Sequence, residues 1–365
     1  MTVPARRTMY ITYSLNGGGA ERLLTNIILP QHSPRRMRVV SLRPGGVFRM
    51  VLESAGIEVV DLGMTRYHHA MAGLFRLARL IRAEQPEILH GWDYFSNLLV
   101  FCARFLAGSR ARIFWAAFST DFGSQKLKRR FRAVLRLNVL LSRRVDGVAY
   151  NGAEVRDFHH AIGFREPASL VISNSIDADV FRHDARQRAT LREQLGIQPD
   201  DIVVGVLARV DPQKDWPTTC EAVRGLRGVV TVAAGKGTDA LPTQHGFIAL
   251  GWRDDVVSVL SAADIFLLAS AFGEGVSLAL GEAMLCGLPC IVTDVGGNGA
   301  LVGDAGIVVK PGDAEAIRNA IVALACDPER RRLLGERARA RAAAATSCDG
   351  AIERVHALGL AEAPS

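Results

Sequence analysis

FGEGVSLALGEAMLCGLPCIVTD, residues 272–294, is the stretch from which the fold of this chain is read. Two glutamates, Glu274 and Glu282, enclose seven residues. Glu274 stands in a glycine-flanked turn just after an apolar run at 265–269, which reads as a strand. Residues 277–285 follow with a helical pattern, Gly287-Leu288-Pro289 breaks it, and a new apolar run begins at Cys290. Strand, turn, helix, turn, strand is a βαβ unit, and it puts Glu274 at the carboxyl end of the unit's first strand. In open parallel sheets that edge is where ligands bind. The first N–H groups of a helix lack intrahelical acceptors, so those of Gly275, Val276, Ser277 and Leu278 are expected to be free and to form an anion site. A carboxylate beside an anion site suits a ligand carrying both phosphate and hydroxyl groups, as a nucleotide sugar does.

Outward from this unit, strand candidates precede it at 202–207, 229–233 and 247–250 and follow it at 306–309. An earlier series runs at 8–13, 37–42, 57–61, 87–90, 112–118, 146–149 and 170–172, with helical stretches such as 73–83 and 97–106 between several of them. Alternating β and α with short connections predicts parallel sheets covered on both faces. The first series stops near Ser173-Asn174-Ser175, and a polar, charged stretch at 177–201 precedes the second. The predicted fold class is α/β, with two Rossmann-like domains facing each other across a cleft.

Composition narrows the function classes. The 365 residues, 49% hydrophobic and 22% charged, are ordinary for a globular protein and long enough for two domains. No apolar run reaches the roughly 18 residues of a membrane-spanning helix, and no apolar core of signal-peptide length precedes the first glycines. Six cysteines are widely spread, and the close pair Cys286 and Cys290 has no second pair. Zinc and disulfide frameworks are therefore not expected, and a reduced, cytoplasmic protein is. A formal net charge of +7 suits an anionic partner.

Gly17-Gly18-Gly19 follows the first strand and invites a dinucleotide reading. Arg22 stands where the third glycine of that motif belongs, and the next strand ends without an acidic residue, so NAD is not expected. Gly18 and Gly19 still suit a loop that lets a ligand approach the backbone. In GVLARVDPQKDW, residues 205–216, Arg209 and Lys214 lie just past the first strand of the second series. Two cations at a sheet's carboxyl edge are placed to hold a diphosphate. Asp177-Ala178-Asp179 has the letters of a metal motif but falls in the turn joining the two series, so no metal is expected.

These pieces together resemble the retaining GT-B glycosyltransferases, specifically glycosyltransferase family 4. GGGAERLL resembles the family's first loop, VISNSIDADVF its strand and turn between domains, and VLARVDPQKDW its phosphate-binding segment. AAGKG, LGWRDDV and AADIFLLAS resemble successive blocks of its nucleotide-binding domain, and the double glutamate is its most specific signature. The resemblance implies an acceptor-binding domain over residues 1–180, a nucleotide-sugar-binding domain over 181–348, and a C-terminal helix within 349–365 that packs back on the first domain. It implies that Arg209 and Lys214 hold the donor diphosphate, Glu274 the sugar hydroxyls, Glu282 the ribose, and that the backbone around Arg253 faces the base. Gly275, Val276, Ser277 and Leu278 would lie near sugar and phosphate, with Gly18 and Gly19 also on the donor. Where family members often carry a histidine after the strand at 112–117, this chain has Ser119, with Asp121 two residues on. Asp121 is the preferred catalytic candidate of the first half, and His90, Asp93 and Ser119 are candidates for the acceptor side, expected to point to the cleft.

The run from Lys126 to Arg144, KLKRRFRAVLRLNVLLSRR, carries eight Lys or Arg and no acid. Phe131, Val134, Leu135, Asn138 and Leu141 fall near one helical stripe. Such a helix reads as a contact with an anionic membrane surface, suiting a lipid-linked acceptor, or as a helix packed on its own sheet with a solvated basic face. Little aromatic interleaving accompanies the charge, so nucleic acid is not expected. The expectation is a metal-independent, retaining transferase, cytoplasmic or peripheral on the inner face of the membrane. It would move a hexose from a UDP- or GDP-linked donor to a hydroxyl of a glycan or lipid-linked saccharide in cell-surface polysaccharide or glycolipid assembly. A sugar-nucleotide 2-epimerase of the same fold and a non-catalytic nucleotide-sugar-binding protein are the competing readings.

Overall fold

A computed structural model of the chain describes residues 7–29, 37–66, 69–120, 129–172, 174–242 and 244–345. The chain divides into two compact units, with the main break after Ser175. Ser119 and Thr120 belong to the second unit although they directly follow a strand of the first. The helix candidate at 349–358 lies outside the described residues.

The first unit holds strands β1 (Thr8–Thr12), β2 (Met37–Ser41), β3 (Glu58–Asp61), β4 (Ile88–Gly91), β5 (Arg112–Ala117), β6 (Gly147–Tyr150) and β7 (Ser169–Val171). All are parallel, in the order β3-β2-β1-β4-β5-β6-β7. Helices α1 (Gly19–Ile28), α2 (Val47–Ser54), α3 (Ala70–Glu84), α4 (Tyr94–Ala107), α5 (Arg129–Leu141) and α6 (Ala153–Ala161) connect them. The second unit opens with α7 (Ala185–Gln194). Its sheet comprises β8 (Ile202–Leu207), β9 (Val229–Ala234), β10 (Phe247–Ala249), β11 (Ile265–Leu268), β12 (Cys290–Thr293) and β13 (Gly306–Val309). They are again all parallel, in the order β10-β9-β8-β11-β12-β13. Its remaining helices are α8 (Trp216–Val223), α9 (Val256–Ala262), α10 (Leu278–Leu285), α11 (Asn298–Val302), α12 (Ala314–Ala325) and α13 (Pro328–Ala345).

These are two Rossmann-like parallel-sheet units, as the strand pattern predicts. β11 and β12 are buried at every position, which is why they read as continuous apolar runs rather than as alternating ones. The strand order reverses between β1 and β4 in the first sheet and between β8 and β11 in the second. Each reversal leaves a crevice at the carboxyl ends of those neighbours.

The expected helix at 277–285 starts one residue later, because Ser277 keeps extended backbone as the N-cap of α10. α10 is almost entirely enclosed, with seven of its eight residues buried, so it is an internal helix rather than an amphipathic surface one. α13 holds it from outside. Arg339 donates to the Leu285 carbonyl at 3.1 Å, and Gly335 passes so close to Gly287 that a Cβ there would stand 2.1 Å from the Gly287 oxygen.

The apolar stripe of α5 packs inward, as the alternative of a helix resting on its own unit expects. Phe131, Val134, Leu135, Asn138 and Leu141 form the inward face, with the Asn138 side-chain amide donating to the Tyr94 carbonyl at 3.0 Å and the Phe131 ring set edge-on to Tyr94. The outward face carries Arg129, Arg130, Arg132, Arg136, Leu137 and Leu140. The residues of this run before Arg129 lie outside the described ones.

Replacing Gly335 with Ala forces α13 away from the turn that ends α10. Overpacking of this kind costs roughly 1–3 kcal/mol. Urea denaturation should show a lower midpoint for Gly335→Ala, and an unchanged midpoint would mean that α13 does not hold α10 this tightly.

Candidate functional site

The loops after β8 and β11 meet at the reversal of the second sheet. After β8 the chain makes a single 3₁₀ turn, Pro212–Lys214. Asp211 caps its start by accepting from the Gln213 N–H at 3.0 Å. Asp215, at φ +44°, ends it and caps α8 through the Thr218 hydroxyl at 2.7 Å. Lys214 is thus fixed between two capping carboxylates. Its Nζ donates to Glu274 Oε1, and the two side chains are only 11% and 7% exposed.

Glu274 is held from several sides. The same Oε1 accepts from the Ser270 hydroxyl at 2.6 Å, and the Ser270 carbonyl accepts from the Thr293 hydroxyl at 2.6 Å, tying the ends of β11 and β12 together. The Glu274 carbonyl accepts from the Thr120 N–H at 3.0 Å and from the Thr120 hydroxyl. Gly296, at φ +62°, lies against it, and a Cβ there would sit 2.3 Å from the Glu274 oxygen, so only glycine fits. A buried ion pair of this sort stands only where further hydrogen bonds offset its desolvation, and these provide them.

Arg209 shares the turn with Lys214 but reaches outward. Its guanidinium is half-exposed, 2.8 Å from Gln213 Oε1 and 3.5 Å from Asp211, while its carbonyl accepts from the Trp216 indole at 3.0 Å. Arg253 lies beyond β10 and forks onto Asp255 through Nε at 2.7 Å, which holds that carboxyl below its usual range. The loop before it is pinned where the Gly251 N–H meets the Thr238 hydroxyl at 3.0 Å. Glu282 is buried on α10.

The α10 start corrects one expectation. The Ser277 N–H is not free, because it donates to Asn298 Oδ1 at 3.0 Å. The Asn298 side chain is fully buried, and its Nδ2 has no partner among the described residues.

The first-unit candidates fare unevenly. Gly18 is the extended N-cap of α1, and the Glu21 carboxylate folds over it, accepting from the Ser14 hydroxyl at 3.1 Å. The chain's own acid therefore sits at this helix start beside Gly18 and Gly19. His90 does not point outward. It is 2% exposed, stacked 5.6 Å from the Tyr10 ring and edge-on to Trp92 at 5.0 Å. Burial pushes its pKa down to about 3, against a raising hydrogen bond to the Trp115 backbone. Asp93 is the N-cap of α4, accepting from the N–H groups of Tyr13 at 2.7 Å, Phe95 at 2.9 Å and Ser96 at 3.0 Å. Burial raises its pKa despite those bonds. Asp93 is thus engaged as a helix cap, and His90 is enclosed by rings, its Nε2 without a hydrogen-bond partner among the described residues. Ser119 is half-buried in the second unit, and Asp121 lies outside the described residues.

Three contributors are given no role by the sequence: Ser270, Thr120 and Asn298. Ser270 leaves a trace in the sequence as a lone hydroxyl closing an apolar strand four residues before Glu274. Thr120 and Asn298 leave none, because their partners are 154 and 21 residues away.

Two family descriptions match the chain. "Glycosyl transferase 4-like domain" covers residues 18–175, and "Glycosyl transferases group 1" covers residues 201–327. Among curated proteins, the UDP-Gal:alpha-D-GlcNAc-diphosphoundecaprenol alpha-1,3-galactosyltransferase of Escherichia coli is 31% identical over 176 residues, 43% of this chain. The match spans 45% of that relative, under half its length. The lipopolysaccharide core biosynthesis glycosyltransferase LpsE of Rhizobium meliloti is 25% identical over 88% of this chain and 89% of its own. Among solved structures, Anabaena Alr3699/HepE in complex with UDP and glucose superposes with a TM-score of 0.86 at 21% identity, covering 97% of this chain and 99% of that one. At that identity the likeness establishes the fold.

His90 carries a pH signature. The folded imidazole stays neutral down to about pH 3, whereas the unfolded one binds a proton near pH 6.5. Acidification below about 6.5 therefore favours the unfolded chain, by up to about 1.4 kcal/mol per pH unit for this one group. Unfolding free energies measured between pH 7 and pH 4 should fall less steeply in His90→Phe than in the native protein. Equal slopes would mean that His90 titrates normally in the fold.

Proposed function

This chain belongs to the GT-B glycosyltransferases of family 4 type, and on that premise we propose that it transfers a hexose, with retention, from a nucleoside diphosphate sugar to a hydroxyl of a glycan or lipid-linked saccharide. The observation that carries the reading is the buried Lys214–Glu274 pair at the β8/β11 reversal, with Arg209 on the same turn. One anion-binding group and one hydroxyl-binding group held at a single point suit a ligand whose phosphate and sugar are adjacent.

In this reading the donor diphosphate takes hydrogen bonds from Lys214 and Arg209, and Glu274 accepts from sugar hydroxyls. Glu282 takes the ribose, and the backbone around Arg253 meets the base. The bond from the anomeric carbon to the diphosphate oxygen breaks while the acceptor oxygen bonds that carbon from the same face. The acceptor proton passes to the departing diphosphate, so no strong general base is needed, and two cations meet the charge that develops there without a metal. A UDP-linked hexose is supported by the complexes of HepE with UDP and UDP-glucose, and a lipid-linked acceptor by the printed activity of the Escherichia coli relative. The outward face of α5, arginine-rich with Leu137 and Leu140 47% and 62% exposed, is proposed to rest on an anionic membrane surface.

With a panel of UDP- and GDP-hexoses, Lys214→Ala and Glu274→Ala should each lower turnover by at least ~100-fold, the effect of losing one preorganised charge contact. Near-native rates in both would sink the site assignment, and inversion at the anomeric carbon, read by NMR of the product, would sink the mechanism. Donor binding without transfer or hydrolysis would favour the binding-protein reading, and interconversion of free donors at C2 the epimerase. For the membrane face, co-sedimentation with vesicles containing phosphatidylglycerol should be strong at low salt and weak at high salt, and an absence of binding at low salt would remove that proposal.

A further inference from the structure

The first unit contains a groove of about 280 Å³ at the carboxyl edge of β1, β2 and β3, between α3 and α4. Its walls are apolar, with Leu42, Leu74, Phe95, Leu98 and Leu99 among them. Leu74, Leu98 and Leu99 are each only half-buried, so the two helices, although packed on each other, leave apolar side chains lining an open groove. Apolar walls without facing atoms forgo dispersion contacts, and hydrocarbon entering the groove restores them. Met71, which also lines the groove, is 60% exposed and carries the apolar surface outward along α3.

The rim is basic. Arg43 lies 5.3 Å from the centre of the Tyr13 ring and donates to the Thr65 carbonyl at 3.2 Å, which holds its guanidinium at the mouth of the groove. Arg66 lies exposed at the same mouth. Among the described residues no carboxylate pairs with either, whereas Arg38, Arg49 and Arg112 in the same unit all have acidic partners. Paired guanidinium groups with open N–H donors match phosphate oxygens.

We infer that this groove binds the hydrocarbon end of a phosphate-bearing amphiphile, with Arg43 and Arg66 on the phosphate. The inference rests on the lipid-linked acceptor reading above and gives it a place in the chain. Apolar walls, two cations at one mouth without a carboxylate partner among the described residues, and a position at the ligand-binding edge of a parallel sheet converge on this one class of occupant.

Isothermal titration of the full chain with inorganic phosphate and with hexyl, octyl and decyl phosphate tests it without any donor. Each methylene that enters should tighten binding about fourfold, until the chain outgrows the groove. Leu98→Trp, or Leu74→Trp should the first fail to fold, should abolish the dependence on chain length while leaving the melting temperature and donor hydrolysis unchanged. Arg43→Gln combined with Arg66→Gln should weaken decyl phosphate at least tenfold and keep the chain-length increment. Equal binding of inorganic and decyl phosphate, or native affinity in the tryptophan variant, would overturn the proposal. So would self-association that Leu98→Trp alone abolishes, which would make the groove an interface between copies. Donor turnover in the same preparations reports on glycosyl transfer independently, so the two readings fail separately.

Discussion

The buried contact between Lys214 and Glu274 is the constraint around which the second unit is arranged. Two opposite charges that are both largely removed from water must be close, well oriented and otherwise hydrogen-bonded, or the desolvation cost exceeds their attraction. The surrounding structure supplies each condition. β8 and β11 are neighbours, so the residues that follow them emerge side by side. Capping aspartates on either side hold the lysine's turn, and the Ser270 hydroxyl shares the glutamate oxygen. Gly296 lets a second loop lie directly on the Glu274 backbone.

That arrangement reaches outward through packing rather than through further charge. α10, which follows Glu274 and carries Glu282, is enclosed on nearly every side, and its C-terminal turn is gripped by α13 through a glycine-to-glycine approach and an arginine cap. A site on a helix with so little freedom keeps its geometry when a ligand arrives. The first unit works differently. Its carboxyl edge carries a half-open apolar groove between α3 and α4, while His90 and Asp93 turn inward.

The strand series of both units is readable from the sequence because strands buried on two faces appear as unbroken apolar runs, and every expected strand is present within a residue or two. The nearness of Lys214 to Glu274 follows from topology, since both trail strands on either side of a switch in strand order. His90 and Asp93 were not readable in the same way. Each closes or follows a strand at the right edge, and only the rings of Tyr10 and Trp92, or the amides of Tyr13 and Ser96, show how the fold encloses them. Ser277 shows the same limit, because its amide is taken by Asn298 from the next βα loop. α5 shows it again: an apolar stripe has the same period whether it faces lipid or a neighbouring helix, and here it faces α4.

Thr120 lies three residues past the end of β5, a strand of the first unit, yet two of its groups bond to the Glu274 carbonyl of the second. The second unit is therefore not a continuous length of sequence. A gene cut at the obvious boundary near residue 175 would release a fragment missing a short strip of its own structure, at the carbonyl of its most constrained acid.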